Sequence, residues 1–284
     1  MSNKKILITG GAGFIGSNLA LQLQEQFPEN EYTIVDDFSS ASVENIKEFK
    51  GKVVRGDVAT MNLQEHFPDG VDVIFHQASI TDTTVTDKER MFKNNVGGFE
   101  NILALAERSQ ARIIYASSAA VYGASLPPLR VGEGEKPLNV YGESKLTMDT
   151  IVREYLPMHP KAIIIGMRYF NVYGPGEAHK GKMASMIYQL CQQMRKGNRP
   201  RIFKHGEQKR DFVYVKDVVE ATLLGRKAPA GLYNIGTGQA RSFNEVIQSL
   251  NQALGTSLEP EYFDNPYDFY QSFTEADLTR SNKH

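Results

Sequence analysis

The feature that most restricts this chain is a glycine-rich turn caught between a short apolar run and a helical stretch. Ile6-Leu7-Ile8-Thr9 leads directly into Gly10-Gly11-Ala12-Gly13-Phe14-Ile15-Gly16, which opens a helix predicted over 13–26. Gly10 can take the tight turn, Gly13 lets backbone amides approach a pyrophosphate, and Gly16 lets helix and strand pack closely. The helix start, at Phe14 and Ile15, offers amide donors and partial positive charge to phosphate. A glycine-rich turn alone is a weak signal. Here Asp36 closes the second predicted strand, roughly twenty residues on, which completes a dinucleotide-binding pattern. Asp36 would accept from the adenosine ribose hydroxyls. Asp37 adds a second negative charge, and Phe38, Ser39, Ser40, Ala41 and Ser42 bring no cation for a 2′-phosphate. The expected cofactor is NAD or NADP with NAD favoured, although Lys47 or Arg55 could fold back. Asp57 and Val58, after the third strand, suit either an adenine contact or a plain turn.

Short apolar runs alternate with helical-period stretches through the first half. The runs are Lys5–Thr9, 32–35, Lys52–Arg55, 71–76, 112–116 and 162–169, and helices are predicted over 45–49, 88–108 and 141–155. Several runs are β-branched and apolar at consecutive positions, as a strand buried on both faces requires. The expected fold is α/β: a Rossmann-type doubly wound parallel sheet with a smaller C-terminal α/β substrate-binding lobe. The dinucleotide-binding domain is placed at 1–175, with later strand and helices able to return to it, and the substrate-binding lobe at 176–284. Helices are expected near 183–196, 216–226 and 244–254. The crevice between the two parts is the natural ligand site.

With 284 residues, 41% hydrophobic and 23% charged, the composition is that of a globular protein. A formal net charge of -1 gives no basic field for nucleic acid, so an anionic substrate needs local donors. The single cysteine, Cys191, cannot form an intramolecular disulfide and is read as packing on a helix. Neither a signal peptide nor a span of ~20 apolar residues is found, so a cytoplasmic protein without membrane association is expected. The histidines lack metal-ligand spacing, and no metal is inferred. A Met183/Met186/Ile187/Leu190/Met194 stripe has helical spacing and is expected in the core or at a contact between copies.

The chemistry is carried by Ser118, at the end of the fifth strand, and by Tyr141 and Lys145, which share one helix face at i and i+4. A tyrosine of pKa ~10 is a poor base at neutral pH, but a nearby ammonium and a positive nicotinamide favour its phenolate. The phenolate can remove a hydroxyl proton while hydride leaves the same carbon. Ser118 would hydrogen-bond the reacting oxygen.

Glycine turn, strand-end serine and Tyr-x-x-x-Lys in this order resemble the extended short-chain dehydrogenase/reductase family over nearly the whole chain. Asn95, the run from Arg168 to Pro175 and the run from Arg210 to Val215 match further family positions. The resemblance implies a nucleotide-diphosphate-sugar substrate, a homo-oligomer, and a cofactor contacted also by Gln77, Ala78, Ser79, Asn95, Phe170 and Val172. The runs 135–142, 179–185, 209–215 and 273–278 are similar to the ADP-glycero-manno-heptose 6-epimerase branch, which serves lipopolysaccharide biosynthesis. That branch inverts C6 by oxidation, rotation of the carbonyl and hydride return to its other face. Its second acid/base matches Lys180, whose reading without the resemblance is a solvated loop lysine. Thr83, Ser118, Asn171, Lys180, Lys182, Gln189, Phe203, Arg210 and Tyr270 are then the expected substrate contacts. The chain departs from the branch in Lys182, commonly Ser, and Gln189, commonly His. It also ends at His284, where members continue for a few tens of residues; a truncated chain or a shortened terminal helix would each explain this. UDP-sugar 4-epimerases and related reductases often carry an Arg late in the chain, in a place where 265–270 has none. Dehydratases need an Asp-Glu pair where Ala119-Ala120 stand, and non-catalytic dinucleotide sensors usually lose the Tyr or Lys.

Overall fold

The computed structural model describes residues 3–266 and 271–283. Its centre is a seven-stranded sheet in which every pairing is parallel. The strands are β1 (Lys5–Thr9), β2 (Glu31–Asp36), β3 (Lys52–Arg55), β4 (Val73–His76), β5 (Arg112–Ser118), β6 (Ile164–Tyr169) and β7 (Gly231–Ile235), in the order β7-β6-β5-β4-β1-β2-β3. Strand alternation sends Ile6 and Ile8 to one face and Leu7 to the other. On the first face lie α1 (Phe14–Gln26), through Leu19 and Leu23, and α5 (Val215–Gly225), through Val218 and Leu223. The second face is covered by α2 (Gly98–Ser109), through Phe99 and Ile102, and α3 (Val140–Met158), through Met148 and Val152. Helices on both faces make the sheet doubly wound, as expected. The strand order reverses between β1 and β4, which opens a crevice beyond the carboxyl ends of the strands.

Four local expectations change. The sheet edge leaves β3 largely exposed, so its apolar residues are not buried on both faces. The helix expected over 45–49 is a 3-10 turn at Val43–Ile46. The long helix expected over 88–108 is interrupted by a π turn at Lys93–Gly97. There Asn95 turns inward, accepting from the Ile80 amide at 2.8 Å and donating to Ser144 Oγ at 2.9 Å. The helix expected from 183 starts later, as α4 (Met186–Arg195), capped by Ser185. Before it runs a 3-10 segment, Ala178–Met183, broken at Gly181.

Beyond α4, three two-stranded sheets frame the other wall of the crevice. Phe212–Tyr214 pairs with Asn171–Tyr173, Arg201–Phe203 with Glu261–Phe263, and Lys209–Arg210 with Arg241–Ser242. Leu190, Met194 and Ile202 pack there with Phe243, Val246 and Ile247 of α6 (Phe243–Leu254).

One buried network joins β6, α3 and the segment between β5 and α3. Arg168, fully buried, donates from Nε to Asp149 at 2.8 Å and from Nη1 to Glu135 at 2.6 Å. Tyr115 donates to the other Asp149 oxygen at 2.7 Å, and Arg153 grips Glu135 through two bonds of 2.6 and 2.7 Å. Burial pushes the Glu135 carboxyl up, but the two arginines outweigh it and hold the group at about 2. Glu135→Gln should lower the unfolding free energy by about 3 kcal/mol, because a buried guanidinium loses part of its compensation. The urea midpoint should fall at unchanged slope. Since the folded carboxyl lies below its ordinary 4.5, its contribution is complete above that pH and fades as pH falls toward 2. The difference between parent and variant should shrink in that acid window.

Candidate active site

The first wall of the crevice is built by the glycine turn. Gly10 has φ +66°, and a Cβ there would fall 2.5 Å from the Ala78 amide nitrogen. At Gly16 a Cβ would stand 2.1 Å from the Gly10 carbonyl oxygen. Any side chain at either position would push strand, turn and helix apart. Gly13 is the N-cap of α1, and no side chain caps the helix, so its first amides face the crevice uncapped. Asp36 sits at the end of β2, buried, and accepts from the Ala12 amide at 2.9 Å and the Phe38 amide at 2.9 Å. Burial raises its carboxyl above the usual range, and these two backbone bonds oppose the rise. Uncapped helix amides, a backbone cradle closed to any Cβ, and a carboxylate fixed at the strand end fit a dinucleotide.

The strand ends bring the chemical groups together. Ser118 closes β5 and accepts from the Ala120 amide at 3.1 Å. Asn139 caps α3 through the Gly142 amide at 2.8 Å, which sets the helix start and with it Tyr141 and Lys145. Lys145 Nζ donates to the Ala116 carbonyl at 2.8 Å and lies 5.9 Å from the Tyr141 ring centre. Burial lowers the Lys145 ammonium to about 7, although Asp149 one turn on acts to raise it. Burial raises the Tyr141 hydroxyl above 10.0, with a hydrogen bond from Ser118 acting the other way. The help expected from the Lys145 ammonium is therefore reduced, because the same burial that raises the phenol also disfavours charge on the amine. Behind them His76, held by Thr9 Oγ1 at 2.7 Å, is pushed down to about 3 by burial and by Lys145. It stays a neutral imidazole at physiological pH.

The crevice measures about 1220 Å³. It is lined by Gly10, Gly13, Phe14, Ile15, Gly16, Asp36, Asp37, Asp57, Val58, Gln77, Ala78 and Ser79 on the glycine-turn side. Thr83, Ser118, Tyr141, Lys145, Phe170, Asn171, Val172, Lys180, Gln189, Phe203 and Arg210 complete the expected set. Two expected residues lie off the lining. Asn95 is buried behind it, holding Ile80 to Ser144, and the Lys182 side chain points to solvent. Tyr270 lies outside the described residues. Asp37 accepts from the Ser39 amide and Asp57 from the Ala59 amide, each at 2.9 Å, so both also shape local turns.

Several lining residues were not singled out by sequence. His179 faces Asn45 at 3.1 Å, and Arg201 lies 5.0 Å over the Phe263 ring. His179 falls in the 179–185 run but carries no assigned role there, and no motif includes Arg201; each reaches the crevice through a contact between distant segments. The methionine stripe divides: Leu190 and Met194 enter the core, whereas Met183 and Met186 line the crevice because α4 begins there. Among the described residues no cluster of His, Cys, Asp and Glu could hold a metal ion, and no helix is long and apolar enough to cross a membrane.

The NAD dependent epimerase/dehydratase family matches residues 6–236 of this chain. The chain belongs to that family. A curated relative, the ADP-L-glycero-D-manno-heptose-6-epimerase of Alkalilimnicola ehrlichii, is 39% identical over 97% of this chain and 89% of its own length. The crystal structure of the Helicobacter pylori ADP-L-glycero-D-manno-heptose-6-epimerase superposes with a TM-score of 0.91 at 40% identity, covering 99% of this chain and 89% of that one. A UDP-N-acetylglucosamine 4-epimerase from Methanobrevibacter ruminantium, in complex with UDP-N-acetylmuramic acid, superposes with a TM-score of 0.92 at 26% identity, covering 100% and 92%. Both likenesses in shape are near-complete, so the family fold is common to epimerases of different sugars. This epimerase-family crevice makes one claim open to measurement. Gly16→Ala should weaken NAD binding at least about ten-fold, or about 1.4 kcal/mol, in isothermal titration with the fold intact by circular dichroism.

Proposed function

We propose that this family member inverts C6 of an ADP-linked glycero-manno-heptose, using NAD as its resident cofactor. The observation that carries the reading is the crevice itself: Ser118, Tyr141 and Lys145 on the sheet side and Lys180 on a separate loop all line it. Identity of 39% over nearly the full length to a curated heptose epimerase supports this substrate over the UDP-sugars of relatives at 26%.

A bound nicotinamide supplies a hydride acceptor that later returns what it received. Tyr141 Oη takes the proton of the C6 hydroxyl, and Ser118 Oγ donates to the same oxygen. Lys145, anchored on the Ala116 carbonyl, fixes the helix turn below Tyr141 and contributes positive charge when protonated. After the C6 carbonyl turns about its bond to C5, Lys180 meets the oxygen on the other side and protonates it. Lys180 is a partly buried residue, its Nζ 5.6 Å from the Phe14 ring centre, and burial lowers its ammonium despite the opposing charge of Glu177. Those properties suit an acid/base better than a solvated loop lysine. Arg210, at 9% exposure on the facing wall, suits the substrate diphosphate, with Asn171 and Phe203 beside it.

NAD over NADP is supported by where the nearest cations go. Lys47 pairs with Glu44 at 2.5 Å, and Arg55 lies 6.0 Å over the Phe38 ring. Neither cation pairs with Asp36 or Asp37, which leaves the ribose position negative.

Tyr141→Phe should reduce turnover by at least about a hundred-fold while NAD stays bound; a variant near parental rate would remove Tyr141 as the base. Lys180→Met should still oxidise substrate but fail to invert it. Offered separately, ADP-heptose should be inverted and UDP-glucose, UDP-galactose and UDP-N-acetylglucosamine left unchanged by NMR. Inversion of UDP-sugars alone would overturn the substrate assignment.

A further inference from the structure

The loop that carries Lys180 is held by a carboxylate, Glu177, whose charge also opposes the burial shift of the Lys180 ammonium. Glu177 is 2% exposed. Its Oε1 accepts from the Gly174 amide at 2.9 Å and from Ser185 Oγ at 3.0 Å, and its Oε2 from the Ser185 amide at 2.6 Å. One carboxylate thus joins the two ends of the 174–185 segment. Such a group is costly to bury unless its bonds are well made, and charge-assisted bonds to amides are among the strong ones. The segment needs such a closure, since its 3-10 turn breaks at Gly181, which sits at φ +53° one residue after Lys180. Outside the loop, Asn45 Nδ2 lies 3.2 Å from both the Ala12 and Gly176 carbonyls, and Asn18 Nδ2 donates to the Pro175 carbonyl at 2.9 Å. The closed loop is therefore pinned against the glycine turn.

We propose that Glu177 is a positioning residue, closing the 174–185 loop so that Lys180 is presented to the reacting carbon at a fixed place. The inference rests on the reading of Lys180 as the second acid/base. Loss of the Glu177 bonds leaves Lys180 in the crevice on a loop with more conformations, so the inversion step suffers and the Tyr141 step does not.

The test uses the full chain loaded with NAD and ADP-heptose in single turnovers, following absorbance of reduced nicotinamide and, by NMR, inverted product. Glu177→Gln keeps the shape but loses the charge and turns an amide toward N–H and O–H donors. The expected result is oxidation within about two-fold of the parent and inversion slowed at least about ten-fold. Lys180→Met is the control. If it blocks inversion while Glu177→Gln behaves as the parent, the positioning role is wrong and the second base stands. If Lys180→Met inverts normally, the second-base reading falls and this inference with it. Equal loss of both steps in Glu177→Gln, with a lowered Tm, would show a role in the fold alone and overturn the proposal. Because Glu177→Gln also removes a charge that acts on Lys180, Ser185→Gly is measured beside it; it keeps that charge, the backbone donor and a tolerable helix start. It should show the same split in milder form, and equal loss of both steps would again overturn the proposal.

Discussion

The buried guanidinium of Arg168 is the interaction on which the geometry of the candidate site leans most. It comes from β6, takes Asp149 from α3 and Glu135 from the segment before it, and stacks 4.9 Å from the Tyr122 ring centre. Taking such a charge out of water is expensive, and replacement by apolar side chains is often neutral for stability. What the arrangement provides is registry. Asp149 lies one helical turn from Lys145, so the ion pair fixes the rotation of α3 and the height of Tyr141 and Lys145 above the strand ends. The same Asp149 charge is the one that favours the Lys145 ammonium against burial.

The electrostatics of the crevice are set chiefly by burial. Burial raises Tyr141 and brings Lys145 down to about 7. Burial thus disfavours charge on both groups. A positive nicotinamide placed beside them would favour the phenolate, so base strength arises where and when the cofactor is present.

Much of this was legible in the sequence because it is local. The glycine turn, the acid closing β2, the serine closing β5 and the i, i+4 pair each announce themselves within a few residues. Six of the sheet's strands were visible as β-branched runs for the same reason. The rest depends on contacts across the chain. The π turn at Lys93–Gly97 arises because Asn95 bonds Ile80 and Ser144, and neither partner is near it in sequence. Asp36 divides its oxygens between Ala12 and Phe38, a detail that no acidic residue at a strand end discloses. Helical periodicity could not tell that Met183 and Met186 would face the crevice, because the start of α4 depends on Ser185 and Glu177.

In the proposed mechanism the inverted carbon keeps its own hydrogen, removed and returned as hydride inside the crevice, while Tyr141 and Lys180 handle only protons on oxygen. ADP-heptose carrying deuterium at C6 tests this directly when turned over in ordinary water. The expected result is inverted product with the deuterium still on C6 and no net change in the bound cofactor. Loss of the label to solvent would show that a base removes the C6 hydrogen as a proton, and would contradict the mechanism.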